Sequence, residues 1–162
     1  MKKLVASGIF MMGVASLPVG TSTAIPTPPV RDYNADPRFH TLRNFFRKLE
    51  CPAERYCATF LEAADAYKLD WRLLPSISFV ESTGGKAARN NNMFGWDSGR
   101  AQFTSPAAGI HLVGYQLSHS YLYRSKSLDG LLSTYNPDPD YVQLVKSVMR
   151  RIAPTWKIAS RP

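Results

Sequence analysis

The sequence lacks the motifs that mark several large enzyme classes. It has three histidines and two cysteines, with no His-Glu-x-x-His pair, no Gly-x-Ser-x-Gly elbow and no glycine-rich phosphate loop. Zinc peptidase, serine hydrolase and phosphate-loop nucleotide chemistry are therefore left without a carrier. His111 and His119 stand eight positions apart and read as surface or packing residues. Cys51 and Cys57 have no histidine nearby and make a poor zinc site, so neither a metal nor a cofactor is expected. No stretch alternates apolar and polar residues for long enough to predict a strand, and no internal repeat occurs. There is no dense Lys/Arg run and no nucleic-acid motif, so nucleic acid is not an expected partner.

Long apolar runs are missing too. Leu4 to Val14 is almost wholly apolar, but Ser7, Ser16 and Pro18 break the stretch short of the roughly 18 residues a spanning helix needs. With Lys2 and Lys3 before it and the small residues Ser22-Thr23-Ala24 after it, this is the pattern of a cleaved secretory signal over residues 1–24. A periplasmic or secreted location is expected, with no stable membrane insertion after cleavage. The alternative is an uncleaved anchor. Pro26, Pro28 and Pro29 then favour extended chain, which predicts a proline-rich linker over 25–35 and one domain over 36–162, expected to be monomeric.

What the chain does have is positive charge. Twenty Lys and Arg stand against twelve Asp and Glu, a formal +8, or 18 − 12 = +6 without Lys2 and Lys3. That suits an acidic partner such as anionic lipid or a carboxylate-bearing cell wall, and equally an ordinary basic soluble surface. An exported chain with Cys51 and Cys57 six positions apart suggests a disulfide. Six residues of continuous helix rise about 9 Å, and bridged Cα atoms lie within roughly 7 Å, so the bridge needs a break that Pro52 can supply. Two small buried thiols are the alternative.

The periodicity is helical throughout. Asp36-Pro37 reads as an N-cap with Pro at the first helical position, leading Leu42, Phe45, Phe46 and Leu49 along one face. Pro52 opens a second helix with Tyr56, Phe60, Leu61 and Ala64 inward. Asp70 caps a third through Leu73, Leu74, Ile77, Val80 and Glu81, which Gly84-Gly85 stops. Pro75 fits only in its first turn. Residues 86–104 lose all periodicity and are rich in turn formers, predicting a long loop, often functional in a compact domain, or a small irregular hairpin. Ser105-Pro106 restarts helix with Ile110, Val113, Leu117 and Tyr121 inward. A short helix runs from Leu128 to Tyr135, and the last begins at Asp140 with Tyr141, Leu144, Val145, Val148 and Ile152. The fold class is mainly α.

Glu81 is the residue that pattern does not explain. It sits four after Ile77 and one after Val80, on or beside the apolar face and in the helix's last turn. Burial and the negative end of the helix dipole would both raise its pKa. A carboxylic acid kept protonated near neutral pH can protonate a leaving oxygen. A solvated glutamate at the edge of the face is the alternative. Phe94, Trp96 and Phe103, with three asparagines and Gln102, populate the loop that follows. Aromatic faces beside amides suit a sugar, and ordinary packing and turn chemistry is the competing reading. Asp97 could be a second carboxylate, but Asp97-Ser98-Gly99 reads more simply as a turn.

Three segments carry a resemblance. Ile77 to Ser82, followed by Gly84-Gly85-Lys86, resembles the Glu-Ser segment of lytic transglycosylases and goose-type lysozymes. Asn91-Asn92-Met93-Phe94-Gly95-Trp96 is similar to the asparagine-rich loop of the bacterial glucosaminidases of the same lysozyme-like superfamily. Ser133-Thr134-Tyr135-Asn136 resembles the Tyr-Asn segment of those transglycosylases. Order and rough spacing agree over about 69–152. The resemblance implies a lysozyme-like helical domain with an irregular substrate loop after the catalytic helix, cleaving peptidoglycan glycan strands without metal or cofactor. It makes Glu81 the general acid, Ser82 a hydrogen-bonding support of the loop, and Asn92, Met93, Phe94, Gly95 and Trp96 a wall of the sugar cleft. Tyr135 would hydrogen-bond near the glutamate or the substrate, with Asn136 beside it. The sequence departs from the transglycosylases in two places: Asn-Met-Phe-Gly-Trp replaces their Gly-Leu-Met-Gln loop, and Pro137 rather than Ala-Gly follows Asn136. A non-catalytic wall-binding or assembly protein is the alternative from another class.

Overall fold

The computed structural model describes residues 31–154. The signal segment read over 1–24, its cleavage near Ala24 and most of the proline-rich linker lie outside the described residues, as does the end of the domain beyond 154. Residues 31–35, read as the end of that linker, are tied to the domain. Arg31 pairs with both Asp36 and Asp65, at 2.9 Å each, and a 3-10 turn runs over Tyr33–Ala35.

The described residues hold six α-helices: α1 (Pro37–Lys48), α2 (Cys57–Tyr67), α3 (Leu73–Ser82), α4 (Pro106–His119), α5 (Leu128–Tyr135) and α6 (Tyr141–Ile152). Extended structure among them is limited to one isolated bridge, Arg89 to Asn92. Three helix starts follow from local chemistry. The side chains of Asp36, Ser105 and Ser127 accept the backbone N–H of Arg38, Ala108 and Gly130, and Pro37 and Pro106 occupy first-turn positions where no N–H is needed.

One core joins the helices. Leu42 and Phe46 of α1, Phe60 and Leu61 of α2, Leu74 and Ile77 of α3, Ile110 and Val113 of α4, Leu132 of α5 and Val145 of α6 are all fully buried. α2 packs against α4, and α3 against α6. The second pairing matters most here, because it brings the last turn of α3 beside the first turn of α6.

The second helix differs from the expectation. Pro52–Tyr56 is a 3-10 segment that runs into α2 at Cys57. Cys51 and Cys57 are not bonded, which corrects the expected bridge. Pro52 does interrupt the chain, but the interruption is filled by a 3-10 turn, which rises about 2 Å per residue against 1.5 Å for α. The two sulfurs face different acceptors, Cys51 Sγ lying 3.5 Å from the Leu49 carbonyl and Cys57 Sγ 4.0 Å from that of Ala53. Both are buried, and burial pushes the Cys57 thiol up to about 12. They serve as small apolar packing groups.

Two inward assignments are also corrected. Tyr121 is 80% exposed, because α4 ends at His119 and leaves it beyond the helix, and Leu144 is half exposed on the outer side of α6. In α3, Pro75 does lie in the first turn. The helix ends one residue earlier than its glycines suggest. Thr83 takes the left-handed conformation (φ +54°) and donates its N–H to Phe79 O, while Gly84 N–H returns to Ser78 O.

Candidate active site

The last turn of α3 carries Glu81, whose side chain is half-buried. Its carboxyl meets α6: the Tyr141 phenol donates a 2.7 Å hydrogen bond to Glu81 Oε1. Among the described residues no donor reaches Oε2. That oxygen faces Gly95, where an added Cβ would stand 2.7 Å from it. Gly95 has φ +61°, so any other residue would meet both backbone strain and the carboxyl. Burial raises the Glu81 pKa, and the Tyr141 hydrogen bond, which favours the ionised form, opposes that rise without cancelling it.

The loop after α3 is held by its own polar side chains. Asn92 is buried: its amide donates to Trp96 O at 3.0 Å and to Ala101 O at 3.2 Å, and its Oδ1 accepts Trp96 N–H. Asn91 donates to Phe103 O, and Phe103 N–H to Asn90 O, which closes the loop on itself. Asn90 and Asn91 both have positive φ (+53° and +58°), a conformation asparagine tolerates better than most residues. Ser82 anchors the loop to the helix. Its hydroxyl lies 2.7 Å from Met93 O and 3.1 Å from Ser78 O, and accepts Gly85 N–H.

Met93 and Phe94 put their side chains into the core, with Phe94 edge-on to Phe60 at 6.4 Å. The aromatic that stood out in a polar loop is thus a packing residue, and its ring forms no wall of an open cleft. It serves the site through its backbone, for Tyr135 donates a 2.6 Å hydrogen bond to Phe94 O. Tyr135 therefore fixes the loop and does not bond to Glu81. Burial and the nearby Glu81 hold its hydroxyl well above the ordinary tyrosine range, so it stays a donor. Asn136 caps α5 and accepts Asp138 N–H, a turn role.

Trp96 is half-buried and does line an opening. Its ring lies 5.8 Å from Tyr135 and 6.3 Å from Tyr123, and Tyr135 stacks on Tyr141 at 6.0 Å. These rings form a file that leads from the surface to the phenol holding Glu81. Gly95, Trp96, Tyr123 and Tyr135 line a hollow of about 400 Å³, with Asp97 and Ser98 at its rim. The largest hollow described, about 510 Å³, lies between α1 and α6 around Phe45 and Arg151. Neither hollow is lined by Glu81 itself, but the smaller one is lined by Gly95, against which Glu81 Oε2 rests, and by Tyr135, which stacks on Tyr141. Asp97 is exposed, has φ +53° and pairs with Arg100 at 2.8 Å, in keeping with its turn reading. Among the described residues no three His, Cys, Asp or Glu side chains converge as metal ligands.

Two residues escaped the sequence reading. Tyr141 was placed on the inward face of α6, but its bond to Glu81 spans sixty positions of chain. Tyr123 follows α4 in a segment with no helical period. The only signal available for Tyr141 was that a buried tyrosine hydroxyl needs a partner. Comparison with protein-family models, curated proteins and solved structures finds no match for this chain.

Proposed function

We propose that the chain is a lysozyme-like enzyme that cleaves the glycan strands of peptidoglycan, with Glu81 as its acid. The observation that carries this reading is the state of Glu81: a half-buried carboxyl of raised pKa, steadied through Oε1 by Tyr141, with Oε2 unbonded beside Gly95, a residue that lines the aromatic hollow. A carboxyl that only stabilised the fold would gain from having both oxygens bonded. One that must deliver a proton needs an oxygen kept open to the substrate.

In the proposed reaction a sugar ring lies against Trp96 and Tyr135, its apolar face on the rings. Glu81 Oε2 gives its proton to the bridging oxygen, and the glycosidic bond breaks as that oxygen leaves as a hydroxyl. The resulting carboxylate then acts as base. It takes the proton of the sugar's own 6-hydroxyl, whose oxygen bonds to the anomeric carbon and closes an anhydro ring. Glu81 is thereby reprotonated and no water is consumed. This internal route is favoured over hydrolysis because Asp97, the acid at the rim of the hollow, is exposed and engaged with Arg100.

Mass spectrometry of the soluble products from purified peptidoglycan tests the reading. Anhydro sugar ends are expected. Reducing ends would keep Glu81 as the acid but assign the second step to water. Binding without release of products would contradict the catalytic reading and leave a wall-binding protein.

A further inference from the structure

A second hollow, of about 430 Å³, adjoins the first, and Tyr123 lines both. Its character is different. Lys68, at the end of α2, and Arg124 and Lys126, in the segment after α4, stand around it with His119, and no carboxylate lines it. All four are exposed. Lys126 hydrogen-bonds to Thr134 Oγ1. Among the described residues neither Lys68 nor Arg124 forms an ion pair, and every Asp and Glu of the sequence lies within those residues. The acids on the neighbouring face of α2 are engaged elsewhere: Asp65 is bound by Arg38 and Arg31, and Glu62 faces His111 at 3.8 Å. Many of the chain's other cations are matched, including Arg43 and Arg47 by Glu54, Arg72 by Asp70 and Lys146 by Asp129. Lys48, Arg55, Lys86, Arg89, Arg150 and Arg151 also lack an ion pair among the described residues, but of the unmatched cations Lys68, Arg124 and Lys126 are the ones that share a hollow with Tyr123 of the aromatic file.

We infer that this basic hollow is a subsite for carboxylates carried as side branches on the glycan, the free carboxyl groups of a peptide stem. The inference rests on the glycan-cleaving reading and adds to it the part of the substrate that is not sugar. A strand lying along Trp96 and Tyr123 would hold its sugar rings on the aromatic faces. An anionic branch from that strand would then extend past Tyr123 towards Lys68 and Arg124. Exposed cations of this kind act as a screened, adaptable clamp rather than a rigid bidentate site, so binding here falls as salt rises. A glycan without carboxylates would use the aromatic file alone and be indifferent to these cations.

The test compares two ligands on two proteins. One ligand is an uncharged chitooligosaccharide, and the other is a peptidoglycan strand fragment of similar length bearing peptide stems. The second protein is the Lys68→Gln/Arg124→Gln variant, which keeps unbranched polar side chains and removes both charges, and its thermal midpoint should match the parent's. The stem-bearing fragment is expected to lose about three- to tenfold in affinity, the size set by two exposed charge pairs, and its salt dependence should flatten. Chitooligosaccharide affinity should not change. Equal losses for both ligands, or none for the stem-bearing one, would overturn the subsite. Cleavage is followed in the same samples. Parent protein that binds the stem-bearing strand through these side chains but never cuts it would sink the catalytic reading and leave the subsite standing. Parent that cuts it with no dependence on Lys68 or Arg124 would do the reverse.

Discussion

The Glu81 carboxyl is held between two opposing influences, and they set a pH dependence. Burial favours its protonated form, while the Tyr141 hydroxyl, 2.7 Å from Oε1, favours the ionised form. The acid is competent while protonated, so activity should fall as pH rises through its folded-state pKa. Removing the phenol removes the influence that lowers that pKa. Tyr141→Phe should therefore move the alkaline limb of the pH–activity profile to higher pH, while lowering the maximum by about ten- to a hundredfold through looser positioning of the carboxyl. A lowered maximum with an unmoved limb would mean that Tyr141 only packs against Tyr135. Glu81 itself was legible in the sequence because an acid beside Ile77 and Val80 breaks a helical pattern. Tyr141 was not, because an aromatic on an inward face satisfies the same pattern whether or not its hydroxyl has work to do.

At the scale of elements, two of the caps were readable and the loop was only half so. The expected Asp70 cap is corrected: α3 starts at Leu73 after Arg72, and the Asp70 carboxylate is held by Arg72. Ser105-Pro106 and Asp36-Pro37 place helix starts by local chemistry, and the structure puts them there. The loop after α3 has no period, so the sequence could not tell its buried aromatic from its exposed one. Phe94 is fully buried, whereas Trp96 is half-buried against Tyr123 and Tyr135. Paired substitutions separate them. Phe94→Ala should cost roughly 3–5 kcal/mol of stability, as core aromatics do. Trp96→Ala should cost clearly less, but weaken chitooligosaccharide binding by more than about 1 kcal/mol through lost stacking area. Chemical unfolding and binding measured on both variants check this, and a core-sized stability loss at Trp96 with intact binding would reverse the assignment. The segment before α2 was misread for a different reason. Compartment and spacing argued for a bridge, but neither reports where side chains point once Pro52 starts a 3-10 turn. Thiol titration in denaturant without reductant should find two reactive thiols per chain. In the native state both should react slowly, since burial shields them and raises their pKa.

For the whole molecule, periodicity announced a helical domain and composition its surplus positive charge, but neither could say where that charge gathers. Pairing narrows it, since most acids are spent on structural partners such as Arg38 and Arg72, and three of the cations left over, Lys68, Arg124 and Lys126, stand by the aromatic file. The same economy appears at Glu81, where a half-buried acid is kept at some cost to the fold. Its folded pKa lies above its ordinary value, so the ionised form is disfavoured in the folded state. Whatever stability this confers is present at low pH and is lost as pH rises through the folded pKa. The most direct measurement of the central claim uses that linkage. Glu81→Gln keeps the side chain's shape and can still accept the Tyr141 hydrogen bond, but it has no proton to give. The account predicts a thermal midpoint equal to the parent's in acid and equal or higher at neutral pH, together with no release of soluble products from purified peptidoglycan. A folded Glu81→Gln protein that still releases those products at the parent's rate would contradict it.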